Sequence, residues 1–300
     1  MICPVPIWRF TKATVILLLP SPNRRQSIFA RYTTQDYCLG SLIMGLIPLP
    51  STTKRIHKDT QGYLAHIGRF GEDKGAHRSI EIARRSGMPL IIAGTTNNHA
   101  GHEEYFAAHV QPHITVTDKE FLSNLVGRSR GEVAKEIAKI QCAHNKKAVV
   151  IFVGEANENE KQILYGGAEA TLFPISWSEP FGRVLIESMA AGTPVIAYRK
   201  LGQIDTGSVK EIVDEGITGY MVDGVNEESA IAAAVEAVGR IKDIDRFGVR
   251  QRFDEKWSSE RNAIRLDELY QRCMDMRLEL YTHAQFTHRD DRDSGIPTRT

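Results

Sequence analysis

From Gly62 onward, short apolar runs alternate with helix-like segments, and this alternation restricts the fold more than any other feature. Residues 63–67, 89–93, 148–153, 170–173, 194–198 and 219–222 are largely apolar and short, the pattern of strands buried on both faces. Between them the sequence predicts helices at 74–86, 101–110, around 158–165, after Gly182, at 209–214 and at 227–241. Gly192 stands where the helix after Gly182 needs a C-cap. Strand and helix in turn make an α/β, doubly wound parallel sheet, Rossmann-like in its winding. Residues 258–282 are predicted as one long C-terminal helix that closes the domain. The polar tail, 283–300, is expected to be disordered.

With 300 residues, 42% of them hydrophobic, the chain can build one large core or two smaller ones. Its formal net charge of +1 argues against a nucleic-acid partner. The cysteines, Cys3, Cys38, Cys142 and Cys273, are scattered and form no paired motif, which fits a reduced, cytoplasmic protein. No apolar run approaches the roughly 20 residues of a membrane span. Residues 1–61 are basic and rich in proline and read as a poorly defined leader with a short helix at 37–46. Residues 62–257 form the expected domain.

In open parallel sheets, ligands bind beyond the carboxyl ends of the strands. The unusual residues gather there: Gly68, Arg69, Gly71, Lys74 and Gly75 after the first strand, and Gly94 and Thr95 after the second. Gly154 and Glu155 follow the third, Trp177, Glu179 and Gly182 the fourth, and Gly224 the last. The backbone amides of Phe181, Gly182 and Arg183 open a helix and form a ready anion site. Glu187 lies in the same helix among Val184, Leu185, Ile186 and Met189, where an unpaired charge is costly. Two acids beside an anion site can accept hydrogen bonds from sugar hydroxyls next to a phosphate. The plainer alternatives are a surface Glu179, a Glu187 satisfied by neighbouring backbone, and a solvated turn carrying Arg69 and Lys74.

The stretch 176–193 resembles the retaining glycosyltransferases of the GT-B fold, of the group 1 or family 4 type. The resemblance rests on Glu179 and Glu187 at the spacing glutamate, seven residues, glutamate. Glu179-Pro180-Phe181-Gly182, Glu187-Ser188-Met189-Ala190 and Gly192-Thr193-Pro194-Val195-Ile196-Ala197 extend it. It covers about residues 62–241 and implies the second, donor-binding half of a GT-B enzyme that moves a hexose from a nucleotide-sugar with retention. By resemblance, Gly68 and Arg69 with Lys74 hold the donor diphosphate and stabilise it as leaving group. Glu187 binds the ribose hydroxyls, Glu179 the sugar, and the amides of Phe181 and Gly182 sugar or phosphate oxygens. Residues around Gly154 and Glu155 frame the base. Two cations and a helix N-terminus suffice for a diphosphate, so no metal and no further cofactor are expected.

The resemblance also implies a first Rossmann-like domain carrying the acceptor site, for which residues 1–61 are too few. The chain is therefore expected to lack that half and to need a separate N-terminal domain or a homo-oligomeric partner. The competing functions are a non-catalytic, nucleotide-sugar-binding or partner-dependent module, and an inactive truncated product. Three departures from the family pattern stand out. Residues 117–147 are an insertion expected to form an extra surface helix at 132–140. Residues 201–206 lengthen the loop after Tyr198, with Lys210 where proline is common. Arg183 replaces an apolar residue and points either to a phosphate or to the surface. His99, His102, His109 and His113 lack the spacing of a zinc site and read as a solvated helix face.

Overall fold

The computed structural model describes residues 10–11, 14–15, 62–96 and 101–290. The helix expected at 37–46 and His99 lie outside them. The chain divides into two compact units, Leu49–Ser258 and Met1–Pro48 with Ser259–Thr300. That boundary falls where the sequence begins the closing helix.

The larger unit is built on β1 (Leu64–Ile67), β2 (Leu90–Ala93), β3 (Val116–Thr117), β4 (Val150–Phe152), β5 (Ala170–Phe173), β6 (Val195–Leu201), β7 (Ile204–Asp205) and β8 (Gly219–Gly224). Their order is β8-β6-β5-β1-β2-β4-β3, all parallel, with β7 an antiparallel return of β6. The helices are α1 (Ala76–Ser86), α2 (His102–His109), α3 (Arg130–His144), α4 (Glu158–Gly167), α5 (Arg183–Ala190), α6 (Val209–Ile212), α7 (Glu227–Arg240) and α8 (Arg246–Lys256). This is the doubly wound, Rossmann-like α/β sheet expected from the alternation. The winding reverses between β1 and β5: β1 leads to β2 on one side, while β5 leads to β6 on the other. Right-handed crossovers therefore put α1 and α5 on opposite faces.

The central strands are buried throughout because helices cover both faces. Side chains alternate between the faces. Leu64, Leu90 and Ile92 join a cluster with Ile80 and Ile82 of α1 and Ala230 and Ala234 of α7. Ala65, Ile91 and Ile151 join a second cluster with Val133 and Ile137 of α3 and Leu164 of α4. The inserted helix α3 is thus longer than the 132–140 expected for it and half-embedded. It starts at a capping box in which Ser129 and Glu132 satisfy each other's backbone, and its apolar stripe covers the β1–β2–β4 face. Helix α8 lacks an amphipathic pattern and was not foreseen. It is anchored by Arg246, whose guanidinium donates to Ala168 O at 2.6 Å and Gly166 O at 3.1 Å. Burial lowers the pKa of that guanidinium to about 10.

In the smaller unit, Phe10 pairs with Val15 and Thr11 with Thr14, and α9 runs Ser259–Asp290. The sequence ends this helix at 282 and makes 283–300 a disordered tail. The helix instead continues eight residues further, because polarity alone does not stop a helix and no glycine or proline intervenes before Gly295. Among the described residues, no helix is long and apolar enough to cross a membrane.

His66, on β1, is buried and its Nδ1 meets Ser79 Oγ at 2.9 Å, while its Nε2 is buried without a partner among the described residues. Burial, reinforced by the nearby His77 and Lys74, lowers its pKa to about 3. A histidine depressed in the folded state contributes stability that is fully present above its unfolded pKa near 6.5. That stability is lost as pH falls towards 3, because the unfolded chain takes up the proton first. Chemical denaturation should show unfolding free energy falling by about 1.5 kcal/mol from this group between pH 6.5 and 5. His66→Gln should flatten that slope; equal slopes would remove the assignment.

Candidate active site

Two loops meet at the carboxyl edge where the winding reverses. The first, after β1, runs through Gly68 and Arg69 into a 3-10 turn at Glu72–Lys74. The second, after β5, carries Trp177 and Glu179 to the start of α5. They are locked together by backbone: Ser176 N donates to Asp73 O at 2.9 Å. Gly75 has φ 72°, and a Cβ there would lie 2.2 Å from Pro174 O, so only glycine admits this approach. Arg78, buried, spans both loops, its Nη1 donating to Glu72 O at 3.1 Å and Pro174 O at 3.2 Å. Its Nε donates to Glu227 at 2.7 Å.

This bracing brings Lys74 and Glu179 together. Lys74 Nζ donates to Glu179 Oε2 at 2.7 Å, with side-chain exposures of only 16% and 14%. At this partial burial each charge compensates the other, and removing one partner leaves the other uncompensated. The ammonium also lies 4.4 Å from the centroid of the Trp177 ring. Glu179 Oε1 accepts from Gly182 N at 3.3 Å. One amide of the expected anion site, that of Gly182, is thus already directed at the Glu179 carboxylate. Helices α1 and α5 both begin at a glycine N-cap with no side-chain cap, unlike α3, α4 and α7 with their capping boxes.

Arg69 lies five residues before Lys74 on the first loop. Its Nη2 donates to Asp73 at 3.2 Å and its Nη1 lies 3.2 Å from His102 Nε2. Asp73 and His102 line an open hollow of about 560 Å³ with Gly71, Glu72, Tyr105 and Ser176. Burial raises the Tyr105 hydroxyl to about 12 and lowers His77, which it contacts. His109 and His113 are exposed, while His102 is half-buried with its Nδ1 3.1 Å from Thr96 O. Among the described residues, no group of three or more His, Cys, Asp or Glu is arranged to hold a metal ion.

Glu187 forms a second group, between α4 and α5. Its carboxylate is buried, and Oε2 accepts from the Tyr165 hydroxyl at 3.0 Å. Oε1 accepts from Arg183 Nε at 2.6 Å, with Lys161 at 3.8 Å. Arg183 is partly exposed and pairs with the acid one turn along its own helix. The first turn of α5 joins the two groups, with Glu179 held at Gly182 and Glu187 at Arg183. Phe181, half-buried, packs on the core. Gly154 and Glu155 follow β4, two strands from β1. Gly154 O accepts from Gly94 N at 2.7 Å, and Glu155 is exposed. No local pattern marks Tyr165, Asp73, Arg78 or Ser208 as part of the site, because the partners that place them there, Glu187, Ser176, Pro174 and Glu179, lie on other elements.

The model of the glycosyl transferases group 1 matches residues 52–246, more than half of the chain. The chain belongs to that family. Among curated relatives of this group 1 domain, it is 32% identical over 169 residues to a D-inositol 3-phosphate glycosyltransferase of Corynebacterium jeikeium. That match covers 53% of this chain and 38% of the relative. It is 37% identical over 89 residues to an uncharacterised glycosyltransferase of Methanocaldococcus jannaschii, covering 30% of this chain and 21% of the other. Each of these matches thus spans well under half of the relative's length. Among solved structures, AviGT4, a glycosyltransferase involved in avilamycin A biosynthesis, superposes with a TM-score of 0.50 at 21% identity. The superposition covers 76% of this chain and 57% of that one, and it supports the GT-B assignment of the fold.

Tyr165 supplies a hydrogen bond to a buried carboxylate, an interaction worth about 1.5–3 kcal/mol. Tyr165→Phe should lower unfolding free energy by about that amount in urea titration. An unchanged midpoint would show that Glu187 is satisfied by Arg183 and Lys161 alone.

Proposed function

We propose that this domain binds a nucleoside diphosphate sugar across the carboxyl edge between β1 and β5 and serves as the donor half of a retaining hexosyltransferase. The observation that carries the reading is the Lys74–Glu179 pair, which joins the two loops at the reversal of winding where open α/β sheets take their ligands. A cation and an acid in contact there supply one group for a phosphate and one for a sugar hydroxyl.

In this reading Arg69 and Lys74 take the diphosphate, and the uncapped start of α5, with the amides of Phe181, Gly182 and Arg183, adds partial positive charge. These groups stabilise the charge that accumulates on the leaving phosphate, so the chemistry needs no metal ion. Glu179 accepts a sugar hydroxyl while Lys74 turns to the phosphate. Glu187 accepts the ribose hydroxyls through Oε1, replacing Arg183, while Tyr165 keeps Oε2 in place. Gly68, Gly154 and Glu155 border the nucleoside side of the edge. The acceptor would attack from the side on which the phosphate departs, the phosphate oxygen taking its proton. The acceptor surface belongs to a partner domain or a second copy. The location that suits this reading is the cytoplasm.

Calorimetry of the purified chain with uridine, guanosine and adenosine diphosphates tests the donor site. One of the three should bind, and Lys74→Ala and Glu187→Gln should each weaken it about tenfold to a hundredfold, the scale of a charge-assisted hydrogen bond. Chelator should leave the affinity unchanged. Heat from none of the three, or binding lost with chelator, would refute the corresponding part.

A further inference from the structure

The lengthened loop after Tyr198 does not extend freely over the sheet edge. β6 and β7 make a hairpin in which Lys200 pairs with Asp205 and Leu201 with Ile204. The returning arm then runs beside the loop after β5. Glu179 N donates to Thr206 O at 3.2 Å, and Ser208 N donates to Glu179 O at 3.1 Å. Glu179 and Gly207 form a parallel bridge. Both backbone polar groups of the acid are therefore held by this arm.

Thr206 holds the arm in turn. It is fully buried, its Oγ1 donating to Tyr198 O at 2.5 Å and Arg199 O at 3.0 Å, and its N to Arg199 O at 3.1 Å. Gly207 has φ 71°, and a Cβ there would stand 2.8 Å from Glu179 O. Only glycine combines that backbone with so close an approach. Asp205 secures the turn by accepting from Gly207 N at 3.0 Å, and it also pairs with Lys210. Lys210, the residue standing in place of a common proline, thus serves the same arm.

We propose that the Thr206–Ser208 arm is a positioning element for Glu179, setting its carboxylate for the sugar of the donor. With N–H and C=O both fixed, Glu179 retains only its side-chain torsions, and these are narrowed by Lys74 Nζ and Gly182 N. The inference rests on the reading of Glu179 as the sugar contact. It predicts a split: the hairpin governs the affinity added by the sugar, while the nucleotide part, held near Glu187, is indifferent to it.

The test is calorimetry on the whole chain, unaltered and as Thr206→Val, Thr206→Ser and Gly207→Ala. The probes are the nucleoside diphosphate that binds best and its glucose and mannose esters. Thr206→Val keeps the side-chain shape and removes both hydroxyl bonds; it should lose about tenfold in affinity for the preferred ester, the equivalent of one hydrogen bond. Its affinity for the bare diphosphate should stay within about twofold. Thr206→Ser should restore the ester, and Gly207→Ala should repeat the loss. Circular dichroism and melting temperature check that each variant is folded. Equal losses for ester and diphosphate would indicate a merely structural role and overturn the proposal, as would unchanged ester affinity in folded Thr206→Val or Gly207→Ala. If the unaltered chain binds no diphosphate, the donor reading falls and takes this inference with it. Diphosphate binding with an insensitive hairpin sinks the inference alone.

Discussion

Lys74 and Glu179 lie 105 residues apart and meet at 2.7 Å, and most of the site's geometry follows from what must be true for that contact to form. The strands that deliver them must be neighbours, so β5 has to return across the sheet to β1. The two loops must approach within backbone hydrogen-bonding distance, which Gly75 permits and Arg78 and Ser176 enforce. Neither charge could be this buried alone, since desolvation of a single ion exceeds what one helix terminus returns. The pair is therefore both a consequence of the doubly wound topology and a brace for the edge at which it stands.

The two carboxylates of the family spacing are satisfied differently. Glu179 faces an ammonium, an indole ring and a helix amide, on a loop held by a hairpin arm. Glu187 sits between two helices, with a tyrosine hydroxyl on one oxygen and a guanidinium on the other. Desolvation and the neighbouring Glu187 charge keep the Tyr165 hydroxyl protonated far above its usual range, so it is a dependable donor. Arg183, by contrast, is partly exposed and is held through Nε to Glu187. The buried partner is fixed and the exposed one can exchange, which suits the role proposed for Glu187, one oxygen yielded to a ligand and the other kept oriented.

Strand–helix alternation, the parallel sheet and the clustering of glycines and charges at its carboxyl edge were all legible along the chain, because burial on both faces leaves largely apolar runs and close backbone approach demands glycine. The Glu179 to Glu187 spacing was legible for the same local reason: both lie within one loop and the helix it opens. The end of α9 carries no such mark, because a polar stretch without glycine or proline suits a solvated helix as well as a tail. Helix α8, with Phe247, Val249 and Phe253 as its only large apolar residues, and the two-residue strands β3 and β7 carry too little periodicity to be recognised from the sequence.

What the amino-acid order determined alone was therefore the fold class, the sheet edge at which glycines and charges gather, and the identity of those charged residues. Partners were decided only in three dimensions. Tyr165 carries no local mark of its partner, and the packing of α4 against α5 brought its hydroxyl to Glu187. The lengthened loop after Tyr198 could have lain anywhere above the edge, and the pairing of Thr206 and Ser208 with Glu179 set its place. Local sequence constrains the backbone torsions and burial of each segment. Which distant segments then share a hydrogen bond depends on strand order and crossover handedness, quantities that exist only once the sheet is assembled.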